Sequence, residues 1–334
     1  MKASNLIYAP APKQEFRCRV PLKDARQLFL VNGTVQGGGA PLALRLEADE
    51  QMDKMLQIIG IRSADGPQEL SFGTSFHFGP RSAGRIILCA HTFSLDLFKT
   101  VEQVKITLEE GAAAEFVVMQ NEHNRAEHET DYEIVLGPGA SLDMVFLSLH
   151  GGVIRNRINA RLEGQGADCR LSGLYLADGE QRMDYDIQLT HQVPGCHSNQ
   201  LFKSILDDRS IAHFYGLIKV VPDAQKTEAY QANHNLLLSN AARAYTRPQL
   251  EIYADDVKCS HGATIGRLNP DELFYMRTRG IPAAEARLLQ QMAFAYEVVE
   301  KISSPELRER MQSLVEKRLR GEFSRCQNCS KNCC

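Results

Sequence analysis

Residues Tyr132–Leu149 read YEIVLGPGASLDMVFLSL: a short segment that alternates apolar and polar residues, a glycine-containing turn, and a second such segment. Alternation over this length is the strand signal, and glycine supplies the backbone freedom that a tight turn requires. The arrangement recurs. Turns at Gly84 (SAGRIIL), Gly111 (EEGAAAEFVV), Gly139 (GPGASLDMVF), Gly166 (GQGADCRLSG) and Gly195 (PGCHSNQLF) follow one another at intervals of 27 to 29 residues. A fixed period of this size, with strands and no helical pattern inside it, indicates a solenoid whose coils stack to share a core. SIAHFYGLIKVV, NHNLLLS and RPQLEIYADDVK carry the array to about residue 265. The expected fold is therefore mainly β, a parallel β-solenoid over residues 66–266 behind a strand-rich leading cap at 1–65. An antiparallel sandwich of evenly spaced hairpins is the competing arrangement.

The pattern changes after Asn269–Pro270. In IPAAEARLLQQMAFAYEVVEKI, Pro282 falls in a first-turn position and Leu288, Met292, Ala295 and Val299 follow at helical spacing. A second helix starts at the N-cap Ser304 with Pro305 behind it. It carries Leu307, Met311, Leu314 and Val315 on one face and can end at Gly321. Residues 267–322 thus read as a helical segment, either a cap for the solenoid or a docking element, and 323–334 as a cysteine-rich tail. The basic residues Arg308, Arg310, Lys317, Arg318 and Arg320 alternate with Glu306, Glu309 and Glu316, the pattern of a solvated helix face.

Composition narrows the function classes. Apolar residues make up 43% of the 334 and charged residues 24%, and 38 Lys+Arg against 41 Asp+Glu leave a net charge of −3. That near-neutral balance gives no electrostatic reason to expect a nucleic-acid partner. No apolar run approaches the ~20 residues of a membrane span. The opening MKASNLIYAPAPKQEF has no apolar core of the signal-peptide kind, so a cytoplasmic location is expected. Cys18, Cys89, Cys169, Cys196 and Cys259 are scattered, whereas Cys326, Cys329, Cys333 and Cys334 crowd the end. An odd total without framework spacing is not a disulfide scaffold. G-x-x-x-x-G-K-[ST], G-x-G-x-x-G, G-x-S-x-G and H-E-x-x-H are all absent.

Several constellations remain. In ADDVKCSHG, Cys259 and His261 stand two apart, so on a strand they share one face and are able to share a soft metal or an iron–sulfur cluster. The plainer reading is a buried free cysteine beside a hydrogen-bonded histidine. The tail Cys326-x2-Cys329-x3-Cys333-Cys334 is dense enough to wrap zinc or iron, or is a solvated extension. His123 and His128 in NEHNRAEHETD read as parts of a solvated loop. Asp184 and Asp186 in MDYDIQ would point to one strand face, as paired carboxylates do in solenoid polysaccharide enzymes.

From Lys226 to Ile281 the chain closely resembles the SufB/SufD family of iron–sulfur cluster assembly proteins. RPQLEIYADDVKCSHGATIG (Arg247–Gly266) is the most specific part, LFYMRTRGI matches the following segment, and with the repeats the likeness covers roughly residues 70–300. The resemblance implies a right-handed parallel β-helix with helical flanks, in which SufB and SufD pair through their β-helices. It implies two copies of the ABC-type ATPase SufC docked on the helical parts, here Leu273–Glu300 with Arg279, Gly280 and Ile281, which fits the missing phosphate loop. The SufB cysteine proposed to hold the nascent cluster aligns with Ala232. The SufB motif His-Glu-Ala-Thr reads His261-Gly262-Ala263-Thr264, without its glutamate. Cys259 and His261 match the SufD form Lys-Cys-Ser-His-Gly, whose Cys and His line the SufB–SufD interface. The chain thus reads as a SufD-like scaffold handling a transient iron–sulfur cluster, and not as an enzyme in its own right. The alternatives are a scaffold of this family that pairs with a second copy of itself, and a solenoid carbohydrate-active enzyme using Asp184 and Asp186. The signal-free start and the SufD-like segment count against the enzyme.

Overall fold

The computed structural model describes residues 22, 25–35, 40–62, 68–92 and 97–321. The strands are β1 (Ala25–Val31), β2 (Thr34–Val35), β3 (Ala43–Leu46), β4 (Met55–Arg62), β5 (Gln68–Phe78), β6 (Ala83–Thr92), β7 (Phe98–Leu108), β8 (Ala113–Asn121) and β9 (Ala126–Leu136). They continue as β10 (Ser141–His150), β11 (Val153–Leu162), β12 (Asp168–Ala177), β13 (Arg182–His191), β14 (His197–Leu206), β15 (Ile211–Val220), β16 (Glu228–Leu237), β17 (Arg243–Ile252) and β18 (Lys258–Gly266). Odd-numbered strands from β3 onward form an eight-stranded sheet. Even-numbered strands from β4 onward, extended by β1 and β2, form a ten-stranded one. Every coil thus gives one strand to each sheet, in eight coils from β3–β4 to β17–β18. All pairings are parallel except the two-residue β2, which folds back on β1. The fold is a parallel β-solenoid, not the antiparallel sandwich, and parallel pairing already begins at Ala25.

One corner of each of the first seven coils is fixed by a residue with left-handed backbone: Asp49, Arg81, Gly111, Gly139, Gly166, Gly195 and Lys226, with φ between 55° and 75°. At six of them the N–H donates to a carbonyl of the next coil, for example Arg81 to Glu110 at 2.8 Å and Lys226 to Asp256 at 2.7 Å. This intercoil bond helps hold a conformation that costs a non-glycine residue about 1–2 kcal/mol. The expected turn at Gly84 is therefore corrected. Arg81 occupies that corner, bonded to Asp49 of the previous corner at 2.6 Å. Gly84 lies inside β6, where an added Cβ would stand 2.4 Å from the Met52 sulfur. The residue after each corner from the second onward (Ser82, Ala112, Ala140, Ala167, Cys196, Thr227) is small and buried.

The two sheets differ in what they bury. The eight-stranded sheet alternates: β11 and β13 hide every second residue in the lumen and show charged residues outside. In β10, β12 and β14 the last seven residues are all buried, since that sheet is covered on both faces. The outer cover consists of α2 (Ala283–Val299) and α3 (Pro305–Leu319). Ala295, Val298, Val299, Leu307, Met311, Leu314 and Val315 pack on Val145, Leu147, Leu174, Leu176, Leu201 and Ile205. Ser304 caps α3 as expected, and Pro282 sits at the cap position just before α2. The helices thus lie along a sheet face and do not close the end. Two buried cations pin them. Lys203 donates to the Phe294 carbonyl at 3.3 Å, pairs with Glu297 and lies 4.4 Å from the Phe294 ring centroid. Arg318 donates to the Leu149 carbonyl at 2.7 Å and to Asp178 at 2.6 Å. The reading of Arg318 as part of a solvated face is overturned, because its side chain reaches past its own helix to acceptors at the sheet corner.

Buried histidines make the fold acid-sensitive. Burial, and then the Arg318 charge, lower His150 to about 4, and burial, and then His197, lower His191 to about 4. The unfolded chain, with histidines near 6.5, binds more protons in this range, so stability falls as pH drops from about 6.5 to about 4, by on the order of 3 kcal/mol for each. His128 acts oppositely: its raised value gives stability that is present at low pH and lost as pH rises through it. Thermal unfolding at pH 7 and pH 5 should show the net loss, and His191→Gln should flatten it.

Candidate interface site at the open end of the solenoid

Register determines what the last coil displays. Cys169, Ser198, Ala229 and Cys259 form one ladder across β12, β14, β16 and β18, and Leu171, Gln200, Gln231 and His261 form another. Both ladders face the lumen, where the members below β18 are buried. Cys259 and His261 therefore occupy one face of one strand, the inner face of the terminal coil. No further coil stands on them, so the burial of their ladder mates becomes partial for Cys259 and is lost for His261. Ile265 on the same face is 50% exposed, and the inner face of β17 shows half-buried Ala244, Thr246, Pro248 and Leu250. Beyond β18 the chain turns aside into α1 (Pro270–Thr278), which buries none of its residues. Among the described residues, nothing covers this end.

The chemistry of the two donors differs. Cys259 packs against Ile218, Val220, Ala224, Ala229 and Ala254, and this burial pushes its thiol above the usual range. It is a protonated thiol in the isolated chain, and a soft cation binding there must displace the proton. His261 stands free of that apolar cluster. Ala232, the position matched to the SufB cysteine, is opposite Gly262 in the ladder but faces outward, among the residues packed under the helices. Among the described residues, no three His, Cys, Asp or Glu side chains converge as a metal-binding group. Cys259 and His261 supply two donors, short of the usual four.

The other expected sites fare differently. Asp184 and Asp186 do share the outer face of β13, but Asp184 is held by Arg155 at 3.3 Å, Arg182 at 2.8 Å and His213 at 2.8 Å. Burial raises Asp186. Asp184 belongs to a ladder of ion pairs. Cys326, Cys329, Cys333 and Cys334 lie outside the described residues. Arg279 caps α1 with its guanidinium 5.1 Å from the Tyr275 ring centroid, Gly280 turns the chain with φ 86°, and Ile281 enters α2. Around them Phe274, Tyr275 and Leu289 are exposed, Phe274 by 69%.

His128 corrects the solvated-loop reading. It is buried in β9, its Nδ1 against Glu122, its Nε2 3.4 Å from Arg62 and 3.5 Å from Glu102. Burial, the largest influence, would lower it, but the Glu122 charge and the hydrogen bonds to Glu102 and Glu122 together raise it above the usual range. Only the alternation of AEHETDYEIVL could have revealed this, since His128 falls in phase with the lumen-facing Tyr132 and Ile134. His123 remains at the turn, its Nδ1 accepting from the Arg125 N–H at 3.2 Å.

Fold and site together define a parallel solenoid with helices along one face and one open, donor-bearing end. Residues 74–294 match the family model for the SUF system FeS cluster assembly SufBD core domain, and the chain belongs to that family. It is 34% identical over 233 residues to the iron–sulfur cluster assembly protein SufD of Escherichia coli (strain K12), covering 69% of this chain and 55% of that protein. An iron–sulfur cluster assembly SufBD family protein of Mycobacterium leprae is 36% identical over 200 residues, 58% of this chain and 51% of that one. One of Synechocystis is 34% identical over 211 residues, 63% and 47%. The chain spans about half the length of the curated relatives it matches.

Because His261 supports no core packing, His261→Ala should leave stability within about 0.5 kcal/mol of wild type. Denaturant unfolding checks this; a larger loss would mean that the imidazole contributes to core packing.

Proposed function

We propose that this chain is a SufD-type scaffold of iron–sulfur cluster assembly. It pairs end-on through β17 and β18 with a SufB-type protein and docks a SufC-type ATPase on α1 and the start of α2. The observation that carries this is the open terminal coil. Two strand edges and a half-apolar lumen mouth are left in water, a surface that natural β-proteins normally cover. The partner's terminal coil is the natural cover, and it would bring the further ligands that Cys259 and His261 need to hold a cluster in transit. A second copy of this chain would offer only another Cys259 and His261, with Ala232 again where SufB has its cysteine. That favours the SufB-type partner.

Co-expression with SufB-type and SufC-type proteins tests the reading. A complex containing all three, whose cluster yield falls several-fold with His261→Ala while assembly persists, is the expected outcome. A stable self-dimer that ignores the SufB-type protein would point to the self-pairing scaffold.

The ATPase site rests on exposed Phe274, Tyr275 and Leu289 beside Arg279. Arg279→Glu should weaken ATPase association and stimulated turnover, more at low salt than at high, as rim charges do. Equal association across salt concentrations would place the dock elsewhere.

A further inference from the structure

We infer that Gln231 is a positioning residue for His261, holding its ring in the ligand-competent tautomer; this rests on the interface reading just given. Gln200, Gln231 and His261 are successive rungs of one lumen-facing ladder. In-register rungs lie about 4.8 Å apart, within reach of one another's side chains. The rung below shows the contact made: Gln231 Nε2 donates to Gln200 Oε1 at 2.8 Å. Gln27 and Gln57 repeat it at the leading end at 3.0 Å.

The other half of the amide is unpaired in both residues, Nε2 in Gln200 and Oε1 in Gln231, but only Gln231 is the rung next to His261. Gln231 is 3% exposed, and its Oε1 is buried without a hydrogen-bond partner. The lumen is also shaped for that amide. Gly216 of β15 lies across from it, and a Cβ there would stand 2.4 Å from Nε2 and 2.8 Å from Oε1. A buried acceptor is thus kept, in space cleared by a glycine, one rung beneath the exposed histidine. A ring N–H of His261 donated to Oε1 completes the ladder. It also commits the other ring nitrogen's lone pair to the open end, where the partner and cluster arrive. Ligand histidines are fixed in this way by an acceptor on their second nitrogen.

The test uses the full chain with 15N-labelled histidine, reading the ring nitrogens of His261, assigned as the signals lost in His261→Ala. Wild type should show one dominant tautomer. Gln231→Leu should give the averaged shifts of a free imidazole, and Gln231→Glu, which keeps an acceptor oxygen, should restore the single tautomer. Gly216→Ala, which displaces the amide without changing it, should behave like Gln231→Leu. A purely structural role would change melting temperature alone. In the assembled complex, Gln231→Leu should lower cluster yield by about tenfold, the usual cost of losing such a support. Unchanged tautomer and yield in Gln231→Leu, with His261→Ala defective, would overturn the role of Gln231 and leave the interface reading intact. Normal yield in His261→Ala would overturn both.

Discussion

Each coil has to return the chain to the same level and phase as the coil before it, because a slip of one residue would turn every lumen side chain to the outside. The structure meets this constraint at the corners. A left-handed residue donates its N–H to the next coil, and a small residue behind it fits under the stack. With the phase locked, like side chains meet across coils. Phe146, Tyr185 and Phe202 fill the middle of the lumen, with ring centroids 5.4 to 6.4 Å apart. The Tyr185 hydroxyl finds Ser148 at 2.7 Å, and Ser148 in turn bonds Gln120. Such polar rungs cost more when mispaired than they contribute when paired, so they select the register.

The same phase decides where the helices go. Once the ten-stranded sheet presents leucines and valines on its outer face, α2 and α3 bury their stripe there, and Lys203 and Arg318 fix their position with charge-assisted bonds. The helices are then committed sideways. Neither they nor α1 remains to close the last coil, and the open end follows from that choice as much as from anything in β18 itself.

Much of this was legible in the sequence, for identifiable reasons. The period was visible because most corners use glycine, and the helix faces because Leu307, Met311, Leu314 and Val315 keep helical spacing. Cys259 and His261 were placed on one face by a spacing of two. The failures are equally specific. Arg81 and Lys226 hold left-handed corners through intercoil bonds that no local pattern encodes. Gly84 then drew attention only because it stood near the expected interval. His128 and Arg318 look solvent-facing by neighbourhood, and only partners distant in sequence, Arg62 for one and Leu149 for the other, make them interior. α1 was not read as a separate helix, because LFYMRTRGI drew attention only for its likeness to a family segment. Gln231 carried no signal at all, since a glutamine among alternating residues becomes informative only once Gly216 and His261 are seen beside it.

The two ends of the solenoid differ in a way that bears on function. At the leading end β2 folds back antiparallel on β1 and occupies part of that sheet's edge. At the trailing end β17 carries Pro248, a residue tolerated in sheets mainly at edges, which marks the strand as terminal. Its neighbour β18 has no such device. It has no proline and, apart from Lys258 paired with Glu228 at 2.7 Å, no charged residue along KCSHGATIG. An edge of that kind invites strand addition. Beneath it sit a thiol raised by burial and a histidine above an unfilled acceptor, groups that gain from the arrival of a cation and a partner more than from water. Edge, lumen and donors therefore point the same way. The last coil leaves its edge, its lumen mouth and both donors to the partner proposed above.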